Sequence, residues 1–346
     1  MSHSYSLSQL GWIPFFQQQL SLEELDDHLV GRVVAQHRSN IELLTEQGKL
    51  FLPFISSMPD LTVGDWVLLN TQHQFQRLLE RFSLFSRKSP GTKLGTQLIA
   101  ANIDTVFVVS SLNTNFNLNR IERYLAVANA ATVEPVVVLT KSDLCDEPAN
   151  YLQQVQAIDS MLMVEAVNGL DENSVKVLEP WCNSGKTIAF LGSSGVGKST
   201  LVNTLLGLET QSTGSIRQED GRGRHTTTAR SIHIMPSGGL LLDTPGMREL
   251  QISDCEQGLE DTFSEISKLA SACKFKDCRH QSEPGCAVLA AIESGELEKR
   301  RLENYQKLMR EQAVNSASLA EKHARGRKLS LYQHSVQTHA RKRKQG

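Results

Sequence analysis

The chain has 346 residues, 40% of them hydrophobic and 21% charged, which is ordinary for two or three globular domains with a sizeable core. No run of about 18 apolar residues occurs, which excludes a helical membrane span, and the start MSHSYSLSQLGWIPFF lacks the basic and apolar regions of a signal peptide, so a cytoplasmic protein is expected. Net charge is −2, but from Glu321 onward eight basic residues face one acid, so this tail carries +7 and the rest of the chain −9.

Residues 1–29 read as an N-terminal extension. Between Val30 and Leu84, GRVVAQ, IELLTE, KLFLPF and DWVLLN read as short strands, separated by turn signals at Ser39-Asn40, Gln47-Gly48 and Pro59-Asp60. Short strands at this spacing predict an all-β unit, a small barrel over 30–95. Its last part is basic: Arg77, Arg81, Arg87, Lys88 and Lys93 interleave with Phe82 and Phe85, a candidate RNA-facing segment.

The pattern then changes. NIDTVFVVSSL is a buried strand, NLNRIERYLAVANAAT has helical periodicity, and EPVVVLT is a second buried strand. TIAFLG and GLLLD are further strands with the helix STLVNTLLG between them. This alternation predicts a parallel α/β domain over 96–255. A mainly helical unit over 256–312 contains a cysteine cluster and the helix GELEKRRLENYQKLMREQ, and 313–346 is the basic tail. The tail reads as a handle for a polyanion or as a solubilising disordered segment; charge alone does not choose.

The residues Gly192, Ser193, Ser194, Gly195, Val196, Gly197, Lys198 and Ser199, followed by Thr200, fit GxxxxGK[ST]. They follow the strand TIAFL and open a helix, the context a phosphate loop requires. Backbone N–H groups of such a loop close round phosphates, Lys198 reaches the β- and γ-phosphates, and the Ser199 hydroxyl ligates Mg²⁺. Asp243, in LLDTPG, ends an apolar strand with DxxG; it would hold Mg²⁺ largely through water, and the Gly246 N–H would sense the γ-phosphate.

Thr140, Lys141, Ser142 and Asp143 end the strand EPVVVL and resemble the guanine-specificity motif NKxD. Its aspartate accepts hydrogen bonds from guanine N1–H and the 2-amino group, donors that adenine does not offer, and a buried unpaired carboxylate costs several kcal/mol. The Lys141 stem would cover the base. In ordinary GTPases the base motif comes last; here it precedes the phosphate loop, which is the order of a circular permutation. The chain then leaves DTPG directly into the cysteine region, so nucleotide state is expected to move the C-terminal domain.

Cys273-x4-Cys278-x-His280-x5-Cys286 offers three thiolates and an imidazole in one short stretch. That is a full tetrahedral set for one structural Zn²⁺, with no open position for catalysis. Cys145, Cys182 and Cys255 read as ordinary small side chains.

With these motifs the chain resembles the ribosome small-subunit-dependent GTPase A family along most of its length. The resemblance is carried by the barrel, ANIDTVFVV, TKSD, GSSGVGKST, GRGRHTTTAR, DTPGMREL, the cysteine spacing and the helix containing ENYQKL. It implies a multidomain protein: an oligonucleotide-binding (OB) type barrel, a circularly permuted P-loop GTPase domain and a C-terminal zinc-binding domain. It also implies GTP hydrolysis stimulated by the 30S ribosomal subunit, late maturation of that subunit with contact to its 16S rRNA, GTP/GDP as ligands, and a monomer. The chain departs from the family pattern at Thr140, where Asn is usual, which predicts weaker base affinity or a less rigid loop. It departs again in the second base loop, Val164-Glu165-Ala166-Val167-Asn168-Gly169-Leu170, where Glu165 replaces Ser and the loop is shorter.

Between the phosphate-loop helix and DTPG, the sequence Arg222-Gly223-Arg224-His225-Thr226-Thr227-Thr228 fits a first switch. The family alignment leaves either Thr227 or Thr228 to complete the Mg²⁺ shell. Met247 follows DTPG where many GTPases place a catalytic Gln, and a thioether cannot orient water. Slow intrinsic hydrolysis and external activation are therefore expected. His225 is the candidate water-positioning group and Arg224 a candidate charge stabiliser; RNA or phosphate contact is the alternative for both. Two other functions fit the same motifs: a GTP-locked rRNA-binding switch with incidental turnover, and a large-subunit assembly GTPase.

Overall fold

Apolar runs in the central region become strands buried on both faces, as parallel sheets require. In a computed structural model of the chain, which describes residues 5–37, 39–88, 96–208, 230–243, 247, 250 and 255–316, the strands β8 (Thr105–Ser111), β9 (Glu134–Thr140), β10 (Met163–Val167), β11 (Thr187–Leu191) and β13 (Leu240–Asp243) lie parallel in the order β10-β9-β8-β11-β13. Every residue of β8 and β11 is buried. The strand β12 (Ser231–Ile234) adds antiparallel to β13.

The N-terminal strands β1 (Leu29–Gln36), β2 (Asn40–Thr45), β3 (Gly48–Pro53), β4 (Trp66–Leu69) and β5 (Phe75–Leu78) pair antiparallel: β1 with β2 and β4, β2 with β3, and β4 with β5. In β2, half-buried and buried positions alternate, the pattern of a strand with one face on a core. A single register pair, Ala35 with Ser231, joins β1 to β12, so the sheet continues across both regions. The hairpin of β6 (Leu84–Lys88) and β7 (Thr96–Ala101) forms a separate two-stranded sheet.

The short helices α1 (Pro14–Gln17) and α2 (Leu22–Asp27) precede the strands. The Ser21 side chain accepts the Glu24 N–H while Glu24 accepts the Ser21 N–H, a reciprocal cap. In the α/β region, α3 (Leu118–Ala130) starts at Asn117, whose side chain accepts the Arg120 N–H at 3.0 Å. It is followed by α4 (Pro148–Gln156), α5 (Glu172–Val175) and α6 (Lys198–Leu205).

Arg32 ties these regions together. Its guanidinium is 1% exposed and donates to the Leu10 carbonyl at 2.5 Å, the Asn102 carbonyl at 2.9 Å and the Thr187 hydroxyl at 2.8 Å. It also lies 5.7 Å from the Trp66 ring centroid. One side chain on β1 thus reaches the N-terminal segment, the β7–β8 connection and the first residue of β11.

The C-terminal helices α7 (Glu256–Thr262), α8 (Ser264–Ser271), α9 (Ala287–Glu293) and α10 (Lys299–Ser316) pack back on the α/β region through α3. At Gly258 a Cβ would lie 2.2 Å from the Ala126 carbonyl, so α7 meets α3 at backbone contact. Glu122 of α3 is fully buried and accepts from Arg300 at 2.8 Å, from Arg301 at 3.1 Å and from the Asn304 amide. Arg123 forms a bidentate pair with Glu311 at 2.5 and 2.7 Å. The C-terminal unit that the chain enters after DTPG is therefore anchored on α3, and any nucleotide-linked movement has to work against that anchor.

Candidate nucleotide site and metal centre

The parallel register puts the expected nucleotide loops at one end of the sheet. Ser111 pairs with Thr140, Thr140 with Val167, and Leu191 with Val108, so β8, β9, β10 and β11 end side by side. Asp243 closes the neighbouring β13. Ligands of open α/β sheets bind outside these carboxyl ends.

The phosphate loop leaves β11 at Gly192, which has φ +147° and where a Cβ would stand 2.4 Å from the Val109 carbonyl. Only glycine passes there without moving the neighbouring strand. Gly197, at φ +92°, caps α6. The Lys198 ammonium lies 7% exposed within the loop, donating to the Gly192 carbonyl at 2.6 Å and to the Ser193 carbonyl. Ser199 and Thr200 open α6, with Ser199 exposed to solvent. The Tyr124 and Ser193 hydroxyls are 3.3 Å apart.

The base loop is tied to this cradle. The Thr140 hydroxyl is 2.5 Å from the Val196 carbonyl and 3.2 Å from the Ser110 carbonyl. With one proton to donate, the shorter contact is the hydrogen bond. The Lys141 ammonium donates to the Gly195 carbonyl at 3.1 Å, from a left-handed backbone at φ 61°. Ser142 and Asp143 lie on the 3₁₀ turn Ser142–Leu144, with Asp143 exposed. At the position where Asn is usual, the Thr140 hydroxyl links the base loop to the phosphate loop.

The second base loop differs from its sequence reading. Residues 163–167 are strand β10, and Glu165 sits mid-strand opposite Val138 rather than in the loop. Burial pushes its carboxyl pKa up. The turn proper is at Gly169 and Leu170, held by the Thr204 hydroxyl on the Gly169 carbonyl at 2.7 Å and by the Asn168 N–H donating to Ser174 at 2.8 Å. Nothing in the sequence singles out Thr204.

Arg224, His225, Thr227, Thr228 and Gly246 lie outside the described residues. Met247 is 2% exposed and belongs to the apolar core.

In the metal centre, one ligand atom each from Cys273, Cys278, His280 and Cys286 lie within 4.8 Å of one another. The Cys273 and Cys286 sulfurs are 3.8 Å apart, and His280 Nδ1 is 3.3 Å from Cys286 and 3.7 Å from Cys273. Bonds of about 2.3 Å to thiolates set tetrahedral S···S edges near ~3.8 Å, so the four side chains fit one tetrahedral metal ion. By contrast Cys182 is 1% exposed, and burial, with the nearby Glu179 charge, pushes its thiol up to about 12.

Three of the basic residues expected to face RNA have internal partners, Arg87 donating to Gln97 Oε1 at 3.0 Å. Arg77 donates to both Glu24 oxygens at 3.0 Å and to the Gln19 carbonyl at 2.6 Å. Arg81 holds buried Asp65 at 2.7 and 2.9 Å. Arg77 and Arg81 both serve to fasten the N-terminal strands. Among the described residues, no helix is long and apolar enough to cross a membrane.

A phosphate loop and an NKxD-like loop clasped at the carboxyl ends of one parallel sheet, with the base loop earlier in the chain, define a circularly permuted P-loop GTPase. The family model for the RsgA GTPase matches residues 78–253. The small ribosomal subunit biogenesis GTPase RsgA 2 of Vibrio parahaemolyticus is 58% identical over 345 residues, covering 100% of this chain and 96% of that protein. RsgA of Mesorhizobium japonicum is 46% identical over 320 residues, covering 90% and 92%. Among solved structures, YjeQ from Thermotoga maritima aligns with TM-score 0.62 at 26% identity, covering 81% of this chain and 97% of that one. YloQ, described as a circularly permuted GTPase, aligns with TM-score 0.59 at 25% identity, covering 82% and 94%. The chain belongs to the RsgA GTPase family and is a GTPase, a hydrolase acting on GTP.

Proposed function

We propose that this chain hydrolyses GTP in the late maturation of the small (30S) ribosomal subunit, with turnover stimulated by that subunit. The observation that supports the reading is the clasp between Thr140 and Val196, which joins the TKSD loop to the GxxxxGKS loop at the carboxyl ends of the strands. Relatives that match nearly the whole chain carry the name small ribosomal subunit biogenesis GTPase.

Within the site, the N–H groups of 192–197 and the Lys198 ammonium hold the phosphates. Lys141 covers the base, and Asp143 accepts the N1–H and 2-amino protons of guanine. Ser199 with Asp243 would hold Mg²⁺, and Thr227 or Thr228 would complete its shell; the ion, when bound, neutralises phosphate charge. The Gly246 N–H senses the γ-phosphate, and His225 orients the attacking water. The clustered thiolates and imidazole take one structural zinc ion.

The proposed layout is an extension (1–29), an OB-type barrel (30–95), the permuted GTPase domain (96–255), a zinc-binding helical domain (256–312) and a basic tail (313–346). The barrel, the zinc domain and the tail face 16S rRNA, and the protein works as a cytoplasmic monomer.

The test is GTP hydrolysis measured with added 30S, 50S or 70S particles, with Ser199→Ala as control. Strong stimulation by 30S alone supports the proposal. No stimulation would favour a GTP-locked binding switch, and stimulation by 50S would favour a large-subunit role.

A further inference from the structure

The metal centre has a third component beside its thiolates and imidazole. His280 adopts φ 56°, a left-handed backbone unfavourable for a residue with a Cβ. Such a conformation persists where surrounding contacts hold it. Here three of the contacts come from one carboxylate. Glu283 Oε1 accepts the Arg279 N–H at 2.9 Å, and Oε2 accepts the Gln281 N–H at 2.8 Å and the Ser282 N–H at 3.0 Å. Two of these donors flank His280, one on each side.

Backbone N–H groups converging on an anion form a concave nest, and charge-assisted bonds of this length are strong ones. Because both Glu283 oxygens are engaged by the loop, the residue stands outside the ligand set, which is Cys273, Cys278, His280 and Cys286. The far side of the same turn is fixed by α10, where Gln306 Nε2 donates to the Arg279 carbonyl at 3.2 Å. The ring orientation that puts His280 Nδ1 between the Cys273 and Cys286 sulfurs therefore depends on a turn built round Glu283.

We propose that Glu283 is a positioning residue of the metal centre: it locks the turn that presents the His280 imidazole, and so sets how tightly the ion is retained. This rests on the reading of the four side chains as a zinc site. Partners that orient a metal ligand typically affect metal affinity by 10–100-fold. Glu283→Gln keeps the shape but removes the charge and one acceptor, so its effect falls between those of the wild type and Glu283→Ala.

The test uses the full-length protein. Zinc content is measured after purification, and zinc release to excess EDTA is followed with a chromogenic zinc indicator. Wild type, Glu283→Ala, Glu283→Gln and, as a remote acidic control, Glu296→Gln are compared. The expected result is one zinc per wild-type chain, release about 10–100-fold faster in Glu283→Ala, an intermediate rate in Glu283→Gln, and wild-type behaviour in Glu296→Gln. Should Glu283→Ala fail to fold, the isosteric Glu283→Gln decides by its release rate, together with the visible spectrum of its cobalt-substituted form. Wild-type release rates in the Glu283 variants would overturn the proposal while leaving the zinc site standing. A wild-type chain without zinc would instead remove the zinc reading itself.

Discussion

The Thr140 hydroxyl donates a 2.5 Å hydrogen bond to the Val196 carbonyl, joining two loops 56 residues apart in the chain. Valine at position 140 would keep the shape but leave the Val196 carbonyl without this donor. Loss of a buried hydrogen bond of this kind costs about 1–2 kcal/mol. Thr140→Val should therefore weaken GDP and GTP binding by roughly 5–30-fold, whereas Thr140→Ser should bind near wild-type strength. Titration with a fluorescent guanine nucleotide measures both.

Arg32 is a stability determinant. Arg32→Met would strand two carbonyls and a hydroxyl that now share one guanidinium. At about 1 kcal/mol or more for each unsatisfied group, the predicted loss is about 3 kcal/mol. Thermal unfolding should show a lowered midpoint, and an unchanged midpoint would contradict the bridging role. Arg32→Lys should also lose stability, because a single ammonium does not span the three acceptors that the planar fork reaches.

The pair of Glu24 and Arg77 predicts a pH dependence. The Arg77 hydrogen bonds, followed by the Ser21 N–H, hold the Glu24 carboxyl at about 2, below its ordinary value of 4.5. A carboxylate with a depressed folded pKa contributes stability that is present above the unfolded pKa and is lost as pH falls through the folded one. Glu24→Gln should thus be less stable than wild type at pH 7, with the gap closing as the pH drops from 4.5 towards 2. Unfolding midpoints of both proteins across that window provide the check.

The anchor of the C-terminal unit is Glu122. Its carboxylate is fully buried between Arg300, Arg301 and Asn304. Removing one partner of a buried charge pair costs about 3–5 kcal/mol. Glu122→Ala is predicted to raise hydrogen exchange in α10 and in the α3 turn facing it. Lys299 and Glu303 form a salt bridge with side chains 76% and 65% exposed, and Glu303→Gln should change stability by no more than ~0.5 kcal/mol. Equal effects of the two variants would contradict the assignment.

Features set by local pattern were readable in the sequence. The unbroken apolar run TVFVV announced β8 as a doubly covered strand, and the glycine spacing from 192 to 197 announced the tight strand-to-helix loop between β11 and α6. The spacing of Cys273, Cys278, His280 and Cys286 announced a cluster of four side chains that could hold a metal ion. Features set by distant partners were not readable. Arg32 lies in a strand-like run, and nothing local says that its acceptors are Leu10, Asn102 and Thr187. Glu122 falls within a helical repeat that gives no hint of cations nearly 180 residues later. Arg77 and Arg81 read as RNA-facing because their carboxylate partners, Glu24 and Asp65, are remote in sequence. Glu165 broke the apolar run of β10, so that strand passed for a loop.

The central claim is that loops arriving in permuted order close on a guanine nucleotide, with Asp143 reading the base. The most direct measurement is the affinity of the purified chain for GTP, ATP and xanthosine triphosphate, in the wild type and in Asp143→Asn. Xanthine carries a carbonyl where guanine carries its 2-amino group, so an amide at position 143 should donate where the carboxylate accepted. The account predicts that wild type prefers GTP over ATP by about 100-fold or more, and that Asp143→Asn loses GTP while gaining xanthosine triphosphate. Equal uptake of ATP and GTP by the wild type, or a variant indifferent to the change, would contradict it.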